Sequence, residues 1–218
     1  MKKKLSFLLA LTMVCTSLVM SGCGNQEKQK PETNQQNSTQ ITTQNTGKKR
    51  EQVLNVPFNG EPDSLDLARV SDANSAAIAS QIIEGLTCVM TVDGADKAEP
   101  SMAESWEVSD DQLTWTFHLR DAQWADGVPV KAQDFVYGIT RVLNPETASP
   151  ISANIKFIKN AMDVVEGNKP ISEAGVKAID DKTLEIQLDY PVPYFLEACA
   201  GTAMFPVRQD LVEKYGTS

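Results

Sequence analysis

Histidine occurs once in the 218 residues, at His118, and the chain contains no G-x-S-x-G, no H-E-x-x-H and no glycine-rich phosphate loop. These absences remove the usual serine-hydrolase, zinc-peptidase and nucleotide-hydrolysing constellations, so the sequence gives no support to an enzyme. His118 falls on the polar phase of a strand-like run, where a solvated or hydrogen-bonded side chain is the ordinary expectation. Cysteine is scarce as well. Cys15, Cys23, Cys88 and Cys199 never approach a C-x-x-C spacing, which leaves no metal or redox motif. Basic side chains are few, 20 Lys and Arg against 29 Asp and Glu, for a net charge of −9. A nucleic acid is bound by neutralising its phosphates, so this balance argues against one as a partner. No cofactor and no metal are expected.

A run apolar enough to span a membrane is also missing. Leu5–Met20 is apolar but interrupted by Thr and Ser, follows the charged start Met1-Lys2-Lys3-Lys4, and ends in the small residues Ser21-Gly22. That is the make-up of a secretory leader, residues 1–22, and not of a membrane span. Removing its three lysines leaves 17 basic against 29 acidic residues, a net −12. Ser21-Gly22-Cys23 resembles the bacterial lipobox, with Met20 where an apolar residue is needed. The resemblance implies that Cys23 carries the lipid and becomes the mature N-terminus on the extracytoplasmic face of the cell membrane. Residues 23–52 hold Gln, Asn, Thr and Lys with almost no apolar side chain. They cannot bury enough surface to offset ordering entropy and read as a polar tether.

Folded sequence begins near Val53. Leu54, Val56 and Phe58 alternate as a strand would. Ser71-Asp72 can cap a helix with Ile78, Ile82 and Leu86 inward and Gly85 near its end. Thr87–Val92 reads as a strand closed by Asp93-Gly94. Around these lies the stretch that organises the chain, Ala103–Pro150, with Trp106, Trp115 and Trp124. Leu113, Trp115, Phe117 and Leu119 alternate with polar residues, so Ser105–Val108 and Leu113–Leu119 form a hairpin across Ser109-Asp110-Asp111. Trp106 and Trp115 are expected as core anchors, with Trp124 half exposed. Phe135, Ile139, Val142 and Leu143 fall at helical spacing until Asn144-Pro145 stops the run. Phe157–Val165 reads as a helix. Val176–Ile179 and Leu184–Leu188 form a second hairpin across Asp180-Asp181-Lys182. Tyr194–Ala200 and Asp210–Tyr215 read as helical. Both aspartate pairs sit between strands, where turn chemistry explains them better than acid–base work. Cys88 and Cys199 are either small buried hydrophobes or, outside the cytoplasm, a disulfide.

The segment AESWEVSDDQLTWTFHLRDAQWADGVPVKAQDFVYG, with GEPDSLD at Gly60–Asp66, EGL at Glu84–Leu86, GVKAIDDKTLEIQL at Gly175–Leu188 and PVPYF at Pro191–Phe195, resembles the family-5 extracellular solute-binding proteins. These are the oligopeptide- and dipeptide-binding components of ABC importers. The resemblance runs in order from about Leu54 to Gly216. It implies a mixed α/β (α+β), type II periplasmic-binding-protein-like fold. Members are much longer than this chain, so it is expected to be a truncated, N-terminal part of one. Residues 53–83 would begin lobe I, 84–208 would form the family's additional α/β domain, and 209–218 would return to lobe I. The implied partners are a peptide ligand, the permease subunits of an ABC importer and the membrane through the lipid anchor, with the binding protein a monomer. A backbone-pairing strand in the family corresponds to Val70-Ser71-Asp72-Ala73. Ser71, Asp72 and Ala73 are therefore ligand-contact candidates, and helix capping explains Ser71 and Asp72 equally well. Ile151 and Gly201 depart from the family pattern at pocket positions. Another solute, such as a nickel chelate or peptide pheromone, and a non-binding lipoprotein remnant are the rival readings.

Overall fold

The computed structural model describes residues 53–58 and 60–216. The leader, Cys23 and the polar stretch that follows lie outside the described residues, so the lipid-site expectation at Cys23 falls there too. From Leu54 onward the chain forms one compact unit. Its elements are α1 (Ala73–Ile82), β1 (Thr87–Val92), β2 (Ala95–Pro100), β3 (Ala103–Val108), β4 (Thr114–Leu119), α2 (Ala132–Leu143), α3 (Ala161–Val165), β5 (Val176–Ala178), β6 (Thr183–Gln187), α4 (Phe195–Ala198) and α5 (Gln209–Tyr215).

Local turn chemistry builds the two sheets. Asp93 and Gly94 both adopt positive φ, the requirement of a two-residue hairpin turn, and they join β1 to β2. Between β3 and β4, Asp111 accepts from the Ser109 hydroxyl at 2.5 Å and the Leu113 amide at 3.0 Å, which holds its carboxyl below the usual range. Between β5 and β6, the Asp180 carboxylate accepts from the Lys182 amide at 2.7 Å. The second sheet is antiparallel throughout, in the order β3-β4-β6-β5. Helix α2 packs across β5 and β6. Its start is tied down by Asp134, which accepts from the Lys131 amide and the Trp124 indole, each at 3.0 Å. Phe117, Phe135, Ile139, Leu143, Leu184, Ile186 and Phe195 are fully buried between sheet and helix. Gly138 lets α2 lie directly on the chain at Phe205, whose carbonyl oxygen would sit 2.2 Å from any Cβ at that position.

Several sequence expectations are corrected. Leu54, Val56 and Phe58 alternate but form no strand, and Leu54 is 85% exposed. Alternation becomes a strand only when a neighbour supplies a ladder, and no described strand pairs there. Helix α1 turns small residues inward instead: Ser75 and Ala79 are its buried residues, Ile78 is only half-buried and Ile82 is 67% exposed. The chain at Ser64 approaches so closely that its amide donates to the Ser75 hydroxyl, and only a small-residue face fits there. The helix stops at Ile82, so Gly85 and Leu86 lie beyond it, both buried. The helix expected over 157–165 starts only at Ala161. The Lys159 amide and the Phe157 carbonyl are engaged with Gln187 and Asp189, extending β6 at 2.9 Å each, and Asn160 is left-handed.

The tryptophans are not the deepest residues. Trp106 lies on edge strand β3, half-buried, 6.2 Å from Phe117. Trp115 is also half-buried, stacked at 6.4 Å on Phe117 and tilted at 5.1 Å against Phe195. The core centres on the two phenylalanines. Trp124 is half-buried, as expected. Cys88 and Cys199 are both free thiols. Cys199 is fully buried, which pushes its thiol up, whereas Cys88 is only partly covered.

Candidate functional site

The segment Gly60–Asp66 winds into a knot of side-chain and backbone bonds. The Asp66 amide donates to the Ser64 hydroxyl at 3.1 Å. Asp66 then accepts from the Ala68 amide through Oδ1 at 3.2 Å and from the Arg69 amide through its carbonyl at 2.7 Å. Its carboxylate also takes both arms of the Arg141 guanidinium, at 2.7 and 2.8 Å, from a residue 75 positions away on α2. Arg141 is only 8% exposed. The guanidinium holds the Asp66 carboxyl below its ordinary 3.8 against the opposing effect of burial. Asp66 in turn raises Arg141. The Ser149 hydroxyl donates to the Ala68 carbonyl at 2.6 Å. Leu67, Ala68 and Val70 are buried, so the chain is pinned to the body just before the candidate residues.

Ser71, Asp72 and Ala73 follow as one run along the surface. Asp72 caps α1: Oδ1 accepts from the Ser75 amide at 2.9 Å, and Oδ2 takes the Ser75 hydroxyl and, at 3.4 Å, the Asp63 amide. Those bonds, the Ser75 hydroxyl foremost, lower its carboxyl. The capping reading of Asp72 is thus realised. Ser71 is exposed and takes no part in the cap. Among the described residues, neither Val70 nor Ser71 uses its backbone N–H or C=O in a hydrogen bond. Val70 is buried, so it is the free N–H and C=O of exposed Ser71, fixed on both sides, that can pair with another extended chain. A groove of about 710 Å³ is lined by residues on the N-terminal side of this stretch, among them Pro62, Asp63, Leu65 and Arg69, and by Pro150, but by none of Val70–Ala73.

A second hollow of about 420 Å³ is lined mainly by apolar groups, among them Leu65, Leu67, Val207, Leu211 and Tyr215. Its polar groups are already engaged. Asp66 and Arg141 hold each other, and Arg208 is forked between Asp126 at 3.1 Å and Asp210 at 2.6 Å. Its charged groups are thus all paired with one another. His118 lies on the strand's polar side with Nε2 3.7 Å from Glu107. Among the described residues, no group of His, Cys, Asp and Glu could hold a metal ion. Sequence reasoning missed Arg141 altogether, because nothing local marks an arginine in the last turn of a helix as the partner of a distant aspartate.

The model of the bacterial extracellular solute-binding proteins, family 5 (middle) matches residues 97–217. The chain belongs to this family. The family-5 chain is 44% identical over 165 residues to the periplasmic oligopeptide-binding protein OppA of Escherichia coli (strain K12), covering 74% of this chain and 30% of that protein. It is 38% identical over 177 residues to the probable deoxycholate-binding periplasmic protein YgiS of the same organism, covering 80% and 32%. Among solved structures, the substrate-binding domain of an oligopeptide ABC transporter from Bacillus anthracis str. Ames superposes with a TM-score of 0.69 at 38% identity, over 73% of this chain and 30% of that one. The mixed α/β fold is therefore the periplasmic-binding-protein-like one. The family binds solutes and is not a family of enzymes. This chain spans about a third of the length of the curated relatives it matches. No described helix is long and apolar enough to cross a membrane.

Proposed function

We propose that this family-5 chain belongs to a lipid-anchored, extracytoplasmic binding protein that captures oligopeptides for an ABC importer. The ligand backbone pairs along Val70-Ser71-Asp72-Ala73. The observation that carries the reading is the unpaired, exposed backbone of Ser71, held between the Asp66 knot and the Asp72 cap. The names of OppA and of the Bacillus anthracis transporter domain support a peptide as ligand. Residues 53–83 and 209–218 form lobe I in this reading and 84–208 the additional domain. Asp72 serves as cap and sets a negative charge beside the edge. The protein acts as a monomer, its lipid is on Cys23, and its partners are the permease subunits.

By itself the chain offers about two to four backbone hydrogen bonds, each netting about 0.5–1.5 kcal/mol. Association costs at least about 4 kcal/mol in lost freedom. The balance is about −2 kcal/mol at best, which puts the dissociation constant at tens of millimolar or weaker. Titration of the isotope-labelled chain with a mixed pool of short peptides, followed by amide shifts, tests this. Changes centred on Ser71–Ala73 that are still rising at tens of millimolar peptide are expected. Unmoved shifts there, or a micromolar midpoint centred on other residues, would overturn the assignment. Similarity to the deoxycholate-binding YgiS favours a second reading, a different solute at the same edge. The same titration with deoxycholate in place of peptide separates the two.

A further inference from the structure

Neither end of the ligand-facing edge is held in the same way. On its C-terminal side, Asp72 bonds to Ser75 and Asp63, neighbours in sequence that travel with the segment. That cap fixes the edge to α1, and α1 reaches the body through the packing of Ala79 with Leu67 and Phe205. On the N-terminal side the tie is long-range. The two parallel hydrogen bonds from Arg141 cross 75 positions and fix both the place and the rotation of the Asp66 carboxylate, which a single-point contact would not do. Ser149, 81 positions from Ala68, adds a second long-range tie at the Ala68 carbonyl. Helix α2, which carries Arg141, is backed on β5 and β6, so the reference frame is the rigid part of the fold.

We infer that the Arg141–Asp66 bridge, seconded by Ser149, is the device that holds the Val70–Ala73 edge in its ligand-receiving pose, making Arg141 a positioning residue for solute capture. This rests on the proposed role of that edge. Arg141 is the sole buried charged residue among the described ones and lies behind the segment. A buried ion pair is often replaceable by apolar side chains without loss of stability, so stability alone does not account for it; its fork supplies geometric definition. The edge needs that definition. At Val70 and Ser71 no backbone hydrogen bond keeps it in place; burial of Val70 and the start of α1, where the Asp72 carbonyl accepts from the Ala76 amide, are its other ties. With the bridge intact the free N–H and C=O groups are presented in a fixed array, so a ligand need not order them on arrival.

The test compares the wild-type chain with Arg141→Met, Arg141→Lys and Ser149→Ala by amide hydrogen exchange and by the peptide titration. In Arg141→Met the Ala68 and Arg69 amides are expected to lose on the order of tenfold more protection than Phe117 and Leu184 in the sheet, as a local opening would. Peptide-induced shifts at Ser71–Ala73 should shrink severalfold in parallel. Arg141→Lys should restore the charge but not the fork, leaving Ala68 and Arg69 intermediate. Retained protection at Ala68 and Arg69 in folded Arg141→Met would overturn the inference. So would loss of protection shared equally by Phe117 and Leu184, since that reports global stability. Should Arg141→Met fail to fold, Ser149→Ala decides, because it leaves the ion pair in place. Faster local exchange at Ala68 and Arg69 supports the clamp, and unchanged exchange refutes it. If the wild-type chain shows no peptide shifts at Ser71–Ala73, the function assigned to the edge fails, whereas the exchange data still judge the clamp.

Discussion

Replacing Gly138 with alanine sets two opposite effects against each other, and the structure decides the sign. In an exposed helix, Gly→Ala stabilises by about 0.8–1.0 kcal/mol, because alanine loses less backbone freedom on folding. At Gly138 the added Cβ would stand 2.2 Å from the Phe205 carbonyl oxygen and 3.3 Å from Val207 Cγ2. The nearest obstacle is backbone, which cannot swing aside as a flexible side chain would. Relief requires α2 to withdraw from the chain at 205–207 by about an ångström, a shift that close-packed interiors resist. That withdrawal would strain the 2.9 Å bond from the Val207 amide to the Asp134 carbonyl and disturb buried Phe205. Overpacking of this kind costs about 1–3 kcal/mol, and a rigid obstacle places it at the upper end. The net expectation is a destabilisation of about 1–2 kcal/mol in a domain holding about 5–15 kcal/mol in all. Urea denaturation followed by circular dichroism measures it. A Gly138→Ala chain more stable than wild type by about 1 kcal/mol would show that the contact is slack and that the reasoning about α2 is wrong.

Three further outcomes are expected. Phe117→Ala should cost about 3–5 kcal/mol, the range for a fully buried aromatic, and Trp115→Ala distinctly less because that ring is half-buried; equal losses in urea melts would contradict the observed depth. Asp66 has a folded pKa depressed below 3.8, so its contribution to stability is present above that value and lost as pH falls through the lower folded one. The deficit of Arg141→Met relative to wild type should therefore be full at neutral pH and narrow below about pH 4 as Asp66 takes up its proton; a pH-independent deficit would sink the assignment. Cys23→Ala should release the protein from membranes and abolish the mass increment on the N-terminal peptide, and membrane association that persists without such an increment would exclude the lipid reading.

The sequence alone determined what depends on neighbours a few residues apart. Ser109–Asp111 and Asp180–Lys182 turn their hairpins with bonds that span two residues, and Asn144-Pro145 ends α2 where the dihedral limits of proline require it. The Ala103–Gly138 pattern and the motifs around it pointed to the family before any contact was known. Asp72 as a helix cap was legible for the same local reason. Tertiary structure decided depth and partnership. A period of two tells which face of β4 is covered but not how deeply, so Trp115 was placed at the centre that Phe117 and Phe195 occupy. The alternation at Leu54–Phe58 promised a strand that only a neighbouring ladder could make. Phe157 and Lys159 looked helical until Gln187 and Asp189 claimed their backbone. The candidate site divides the same way. Ser71–Ala73 could be marked from the chain, but the fork between Asp66 and Arg141 joins residues 75 positions apart, and only the packing of α2 against the sheet brings that pair together.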